Sequence, residues 1–255
     1  MKNQLSFLKQ DVDKIIYIHY SCENLGDDNE GLSPRITSIA VLIHNGEYLK
    51  SFAFNIAAEK LHISKDDIET KLDKIEGKLL EDFFDFVKEH YEFYWLHWNM
   101  TNMNFGFEAL EHRYEVLHNK KPTHISEEKR FNLSKLISFK YGSNYAEDPK
   151  MKNLMLLNWG KIPRDFLQGD AEVEAFRNKD YIKMHKSTIS KVKFFRYIFI
   201  KLIHNEVKTK KKNWKLIFKN LFEHPFIQIL SLLSILITVG GGIFALVKLI
   251  ISFFN

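Results

Sequence analysis

The sequence predicts an α/β domain, a mixed sheet with flanking helices, followed by one amphipathic helix and one transmembrane helix. Three observations carry that prediction: β-rich stretches open the chain, strand and helix patterns then alternate, and a long uncharged run lies near residue 255.

The first stretch, KIIYIHYS (14–21), is dense in β-branched and aromatic residues, which fit a pleated, buried surface. RITSIAVLIH (35–44) and EYLKSFAFNI (47–56) flank Asn45-Gly46, a pair that accepts positive φ and so suits a hairpin turn. Three successive antiparallel strands are expected. Leu72, Ile75, Leu79, Phe83, Phe86 and Val87 then recur at helical spacing, EFYWLHW (92–98) reads as a fourth strand, and a helix is expected over 105–117. Further helices are expected over 133–139, 151–157, 171–176 and 187–204, which closes the domain at 1–204.

Composition agrees with a folded core: 45% of residues are hydrophobic, and 22 Phe, 10 Tyr and 4 Trp supply apolar area. The formal charge is +5, but residues 1–190 carry 26 basic and 30 acidic side chains, whereas 191–225 carry 10 and 2. The basicity therefore belongs to the end of the domain and the segment after it. Sequence-independent phosphate binding by the domain as a whole loses its electrostatic support. Cys22 is the one cysteine, so no internal disulfide forms, as expected of a reducing compartment. The opening MKNQLSFLKQDVDK lacks the apolar core of a secretory signal, which places the domain in the cytoplasm.

From Phe226 to Val247 the chain runs 22 residues without a charge. As a helix this spans roughly 33 Å, enough for a hydrocarbon core of about 30 Å, and a single-pass transmembrane helix is expected over 226–254. Lys208, Lys210, Lys211, Lys212, Lys215 and Lys219 precede it and only Lys248 follows, so the positive-inside rule keeps the N-terminal domain cytoplasmic. Within 205–225, Trp214, Ile217, Phe218, Leu221 and Phe222 form one helical face and Lys211, Lys212 and Lys215 lie around it. That is the pattern of an interfacial helix on anionic membrane lipid. Inside the span, Ser231, Ser234, Thr238, Gly241 and Ala245 fall on one heptad seam, small or polar throughout, which predicts a homo-oligomer through the transmembrane helix.

A family resemblance enters with three segments. YIHYSCENL with RITSIAVL, LHWNMTNMNFGFEAL (96–110) and YIKMHKSTISKV (181–192) resemble, in order, the three motifs of DEDD-type 3′–5′ exonucleases. The resemblance covers about residues 14–204 and implies a ribonuclease-H-like mixed sheet. That family needs carboxylates to hold two divalent metals, but His19 and Ser21 stand where the first pair falls, Met103 and Asn104 near the second, and Ser190 at the third. The implied domain is catalytically degenerate, with no metal and no cofactor expected. A surviving nuclease would have to use Glu23, Glu108 and His185.

Two other patterns weigh less. Arg113 and His118 have an Arg-x4-His spacing used by helical ribonucleases, but strands precede them; Glu108, His112 and His118 lack a second cluster to complete a zinc site. The densest polar and aromatic cluster is His97, Trp98, Asn99 and Asn104 with Arg113, at the carboxyl end of a strand, where a nucleotide or nucleic-acid end could stack on Trp98 and bond to Asn99. A soluble sensor joined to one spanning helix resembles membrane effectors of bacterial antiphage defence, with a trigger from a ligand or from the product of a neighbouring gene. The rival expectations are a membrane-tethered metal-dependent nuclease and a passive anchor or scaffold.

Overall fold

Strand β1 (Ile15–Cys22) is buried along its whole length, because it is the middle strand of the sheet and both of its faces are covered. It pairs antiparallel with β2 (Ile36–Ile43), which pairs antiparallel with β3 (Leu49–Ala53). On its other edge β1 runs parallel to β4 (Tyr94–His97), and β4 parallel to β5 (Arg130–Asn132), giving the order β3-β2-β1-β4-β5. The protein is thus an α/β fold with a mixed five-stranded sheet. The computed structural model describes residues 2–24, 33–101 and 105–210.

The pleat sorts β1 into two cores. Ile16, Ile18, Tyr20 and Cys22 pack with α2 (Phe54–Lys60), α3 (Leu72–Glu89), α4 (Phe107–His118) and Ala175 of α7 (Gly169–Arg177). Ile15 and Tyr17 face α1 (Lys2–Gln10), α5 (Leu133–Tyr141), α6 (Lys150–Trp159) and the long α8 (Tyr181–Ile203). Val192, Phe195, Ile198, Phe199 and Leu202 of α8 are fully buried in this second core. Asp180 caps α8, its carboxylate accepting from the Lys183 amide at 3.2 Å, which is why the helix starts at Tyr181 and not at Ser187.

The third expected strand ends at Ala53 and does not reach 56. Phe54, Ala57 and Ala58 instead bury one helical face of α2, followed by the good helix formers Glu59 and Lys60. The hairpin is also wider than two residues: Leu42 pairs with Leu49, and the loop between carries Gly46 at φ +82°. The Arg196 guanidinium closes this loop from α8, with Nε donating to His44 O at 2.6 Å. A Cβ on Gly46 would stand 2.8 Å from Arg196 Cζ, the movable end of a flexible side chain, so the backbone angle decides the cost. Gly46→Ala is expected to lower stability by about 1–2 kcal/mol, read as a shifted urea midpoint.

The folded unit runs to Lys210, past the expected boundary at 204. Val207 is buried in the second core, and the Asn158 carboxamide holds Lys208 from both sides: Nδ2 donates to Lys208 O and Oδ1 accepts from the Lys208 amide, each at 2.9 Å. Residues 205–210 therefore belong to the domain and not to the amphipathic segment. The interfacial residues Lys211, Lys212, Trp214, Lys215, Phe218 and Phe222, the uncharged run and the seam Ser231, Ser234, Thr238, Gly241 and Ala245 lie outside the described residues. Among the described residues no helix is long and apolar enough to cross a membrane.

Candidate functional site

The carboxyl ends of β1 and β4 lie side by side at the centre of the sheet, and the chain leaves them in opposite directions, toward β2 and toward β5. Ligands of α/β sheets gather at such a point. On β1, His19 and Ser21 follow Ile15 and Tyr17 in the pleat and so face α8.

Ser21 meets a closed polar network. Its Oγ donates to Glu172 Oε1 at 3.1 Å and lies 2.8 Å from Thr188 Oγ1. Ser187 Oγ donates to the same carboxylate oxygen at 3.0 Å while accepting from the Leu167 amide, and Lys191 Nζ donates to it at 2.7 Å. One oxygen of a carboxylate on α7 thus takes three donors, and the side chains of Lys191 and Glu172 are only 6% and 5% exposed. The ammonium neutralises Glu172 and the hydroxyls fill its coordination sphere, which leaves no place for a hard cation to bind that oxygen. On the same face His19 packs between Phe105 and Phe195, and among the described residues its buried Nδ1 has no hydrogen-bond partner. Burial, and then the Lys191 charge, hold its pKa well below the ordinary histidine value, so it is neutral. Burial likewise pushes the Cys22 thiol up to about 12, so it is no nucleophile at neutral pH.

The residues that could form a nuclease site are dispersed among separate partners. Glu23 pairs with Arg35 at 3.0 Å, Glu108 pairs with Arg130 of β5, and His185 Nδ1 lies 2.9 Å from Ser38 Oγ on β2. Ser190 is turned away from Ser21 and lines a groove beside Trp159. Among the described residues no group of three His, Cys, Asp or Glu side chains is placed to hold a metal ion. Arg113 and His118 also have structural employment on α3: Arg113 makes a two-pronged pair with the buried Glu76, and His118 Nε2 lies 3.0 Å from Gly77 O. Glu76 further accepts from the Ile36 amide, so it ties α3, α4 and β2 together.

Of the expected ligand cluster, the pleat sends neighbours to opposite sides. Trp98 is 6% exposed and stacks on Phe195 in the second core, so its ring offers no free face. Trp98→Ala accordingly tests the core, at about 3–5 kcal/mol, and not a ligand contact. His97 points the other way, edge-on to Phe107, with Nδ1 accepting from the Met100 amide. Burial, aided by Arg130 and Lys135, lowers its pKa to about 3. Asn99 adopts φ +53°, and its side-chain oxygen accepts from Asn132 Nδ2 at 3.0 Å. Asn104 lies outside the described residues, and Arg113 is held by Glu76. Beyond β4 and β5 opens a cleft of about 460 Å³ lined by His97, Glu108, Glu127, Arg130, Asn132 and Lys135. Its charges are mixed, and Arg130 is already spent on Glu108, Glu111 and Ile125 O.

Fold and site together define an α/β domain whose central strand end is closed by an internal ion pair. No protein-family model, curated protein or solved structure matches the chain. Glu172 and Lys191 escape a reading by motif, yet Lys191 carries a signal: Met184, Thr188, Lys191 and Phe195 share one buried helical register. A lysine in such a register needs a buried partner.

Proposed function

We infer that the chain is a membrane-anchored sensor or effector whose cytoplasmic domain is a catalytically degenerate ribonuclease-H-like fold, controlling a self-associating transmembrane segment. The observation that carries the loss of catalysis is the Lys191 ammonium seated on Glu172 at the end of β1. The antiparallel run β1, β2, β3 followed by parallel β4 and β5 supports the ribonuclease-H-like reading. The uncharged run 226–247 and the lysines before it support the membrane anchor and its orientation. A role in antiphage defence rests on the resemblance in organisation alone.

Purified full-length protein in detergent is expected to leave labelled single-stranded DNA and RNA intact in the presence of Mg²⁺ or Mn²⁺. Chelator-sensitive degradation that Glu23→Ala abolishes would establish the tethered nuclease instead. For the anchor, alkaline carbonate is expected to leave the protein in the membrane fraction. A membrane-potential dye separates effector from scaffold, since a scaffold leaves the potential unchanged. Leucine at Ser234, Thr238 and Gly241 together is expected to abolish oligomers on crosslinking without affecting insertion.

A further inference from the structure

A groove of about 610 Å³ runs between the end of α6, the loop after it and α8. Its floor is apolar, made by Trp159, Ile162, Pro163 and Ile189. Around it stand Lys161, Arg164, Lys186 and Lys193, with Asp165 as the one acid in the lining. Lys186, Ile189, Ser190 and Lys193 share a face of α8 by helical spacing. None of the four cations makes an ion pair among the described residues.

We propose that this groove docks the domain onto an anionic membrane surface by taking the headgroup phosphate of a negatively charged phospholipid between its cations. Three features favour a lipid over a soluble anion. The floor accepts the apolar part of an amphiphile, as an interfacial site must. The chain leaves the domain beside the groove: Asn158, which holds the Lys208 backbone, directly precedes Trp159 in α6, and Tyr197 both donates to Asn158 O at 2.8 Å and packs 5.5 Å from the Trp159 ring. Finally, residues 1–210 hold 32 basic and 31 acidic side chains, so the net charge of the domain gives no general attraction to an anionic surface, and a face with four cations to one acid sets its orientation. The inference deepens the membrane reading above and rests on it for the tether.

The test uses the full chain in lipid nanodiscs, with lysine acylation mapped by mass spectrometry. Discs containing phosphatidylglycerol are expected to slow acylation of Lys161, Lys186 and Lys193 about tenfold relative to discs of phosphatidylcholine alone. Lys88 on α3, across the sheet, reports the background and is expected to be unchanged. Lys186→Glu with Lys193→Glu is expected to remove the protection of Lys161. Equal acylation in both discs overturns the proposal. Protection by inorganic phosphate in phosphatidylcholine discs, as strong as that by phosphatidylglycerol, overturns it in favour of a soluble phosphate ligand. Should the chain fail to remain in discs of either kind, the tether reading falls; flotation with phosphatidylglycerol vesicles then decides the groove, which stands if the double variant loses binding and falls if it binds like the native protein.

Discussion

Lys191→Met is expected to destabilise the domain by about 3–5 kcal/mol, the usual consequence of leaving one member of a buried pair without its counter-charge. Glu172 would keep two hydroxyl donors, from Ser21 and Ser187, but lose its only cationic partner among the described residues. For a domain of this size the change lowers the melting temperature by roughly 10 °C, measured by circular dichroism on the full chain in detergent. Glu172→Gln is expected to fall in the same range, because it strands the ammonium. Combining the two should recover much of the loss, since neither charge then lies buried alone. A Lys191→Met protein that melts within a degree or two of the native one would show that Glu172 is not held in the geometry described, and the closed-site reading would go with it.

The second large effect is acid sensitivity. His19 and His97 are both held neutral by burial, His97 down to about 3. The unfolded chain takes up protons near pH 6.5 and the folded one does not, so stability falls as pH drops through that value. A histidine that stays neutral when folded removes about 1.4 kcal/mol per pH unit, so His97 costs about 2 kcal/mol by pH 5 and His19 adds to the loss. Carboxylates held low by lysine, such as Glu81 by Lys78, contribute only below about pH 4.5, and between 6.5 and 5 the loss comes from the lowered histidines, to which His44 and His185 also belong. Urea midpoints across that interval should fall steeply, and His19→Phe should make the slope shallower. A flat profile would mean that His19 and His97 titrate normally.

Much of the sheet was legible because its residues obey one rule each. In β1 the β-branched and aromatic run is buried on both faces, and the apolar spacing of α3 matches its helical face. Element ends were less legible where tertiary packing outweighs local preference. Phe54 prolongs a β-rich run yet opens α2, and β5 is three residues, Arg130, Phe131 and Asn132, whose strand state depends on pairing with β4 and on Arg130 lying 4.7 Å over the Phe107 ring. The site divides in the same way. The departures at His19 and Ser21 are plain in sequence, whereas the compensating Glu172 lies 151 positions from Ser21 and no local spacing joins them. Trp98 was readable in principle: alternation along β4 puts it with Leu96 on the α8 side, apart from His97.

The Asn158 clamp on Lys208 sets how force enters the domain. Tension on the chain beyond Lys210 meets the Tyr145 carbonyl, which accepts from the Lys210 amide at 2.8 Å, and then the paired Asn158 bonds before it reaches Val207 and the end of α8. The two Asn158 bonds engage both the donor and the acceptor of one peptide residue, so they share a load and yield together. Asn158→Leu would strip this fastening, take both partners from the Lys208 amide and carbonyl, and let the exit segment peel back toward His204 under a pull that the native domain withstands.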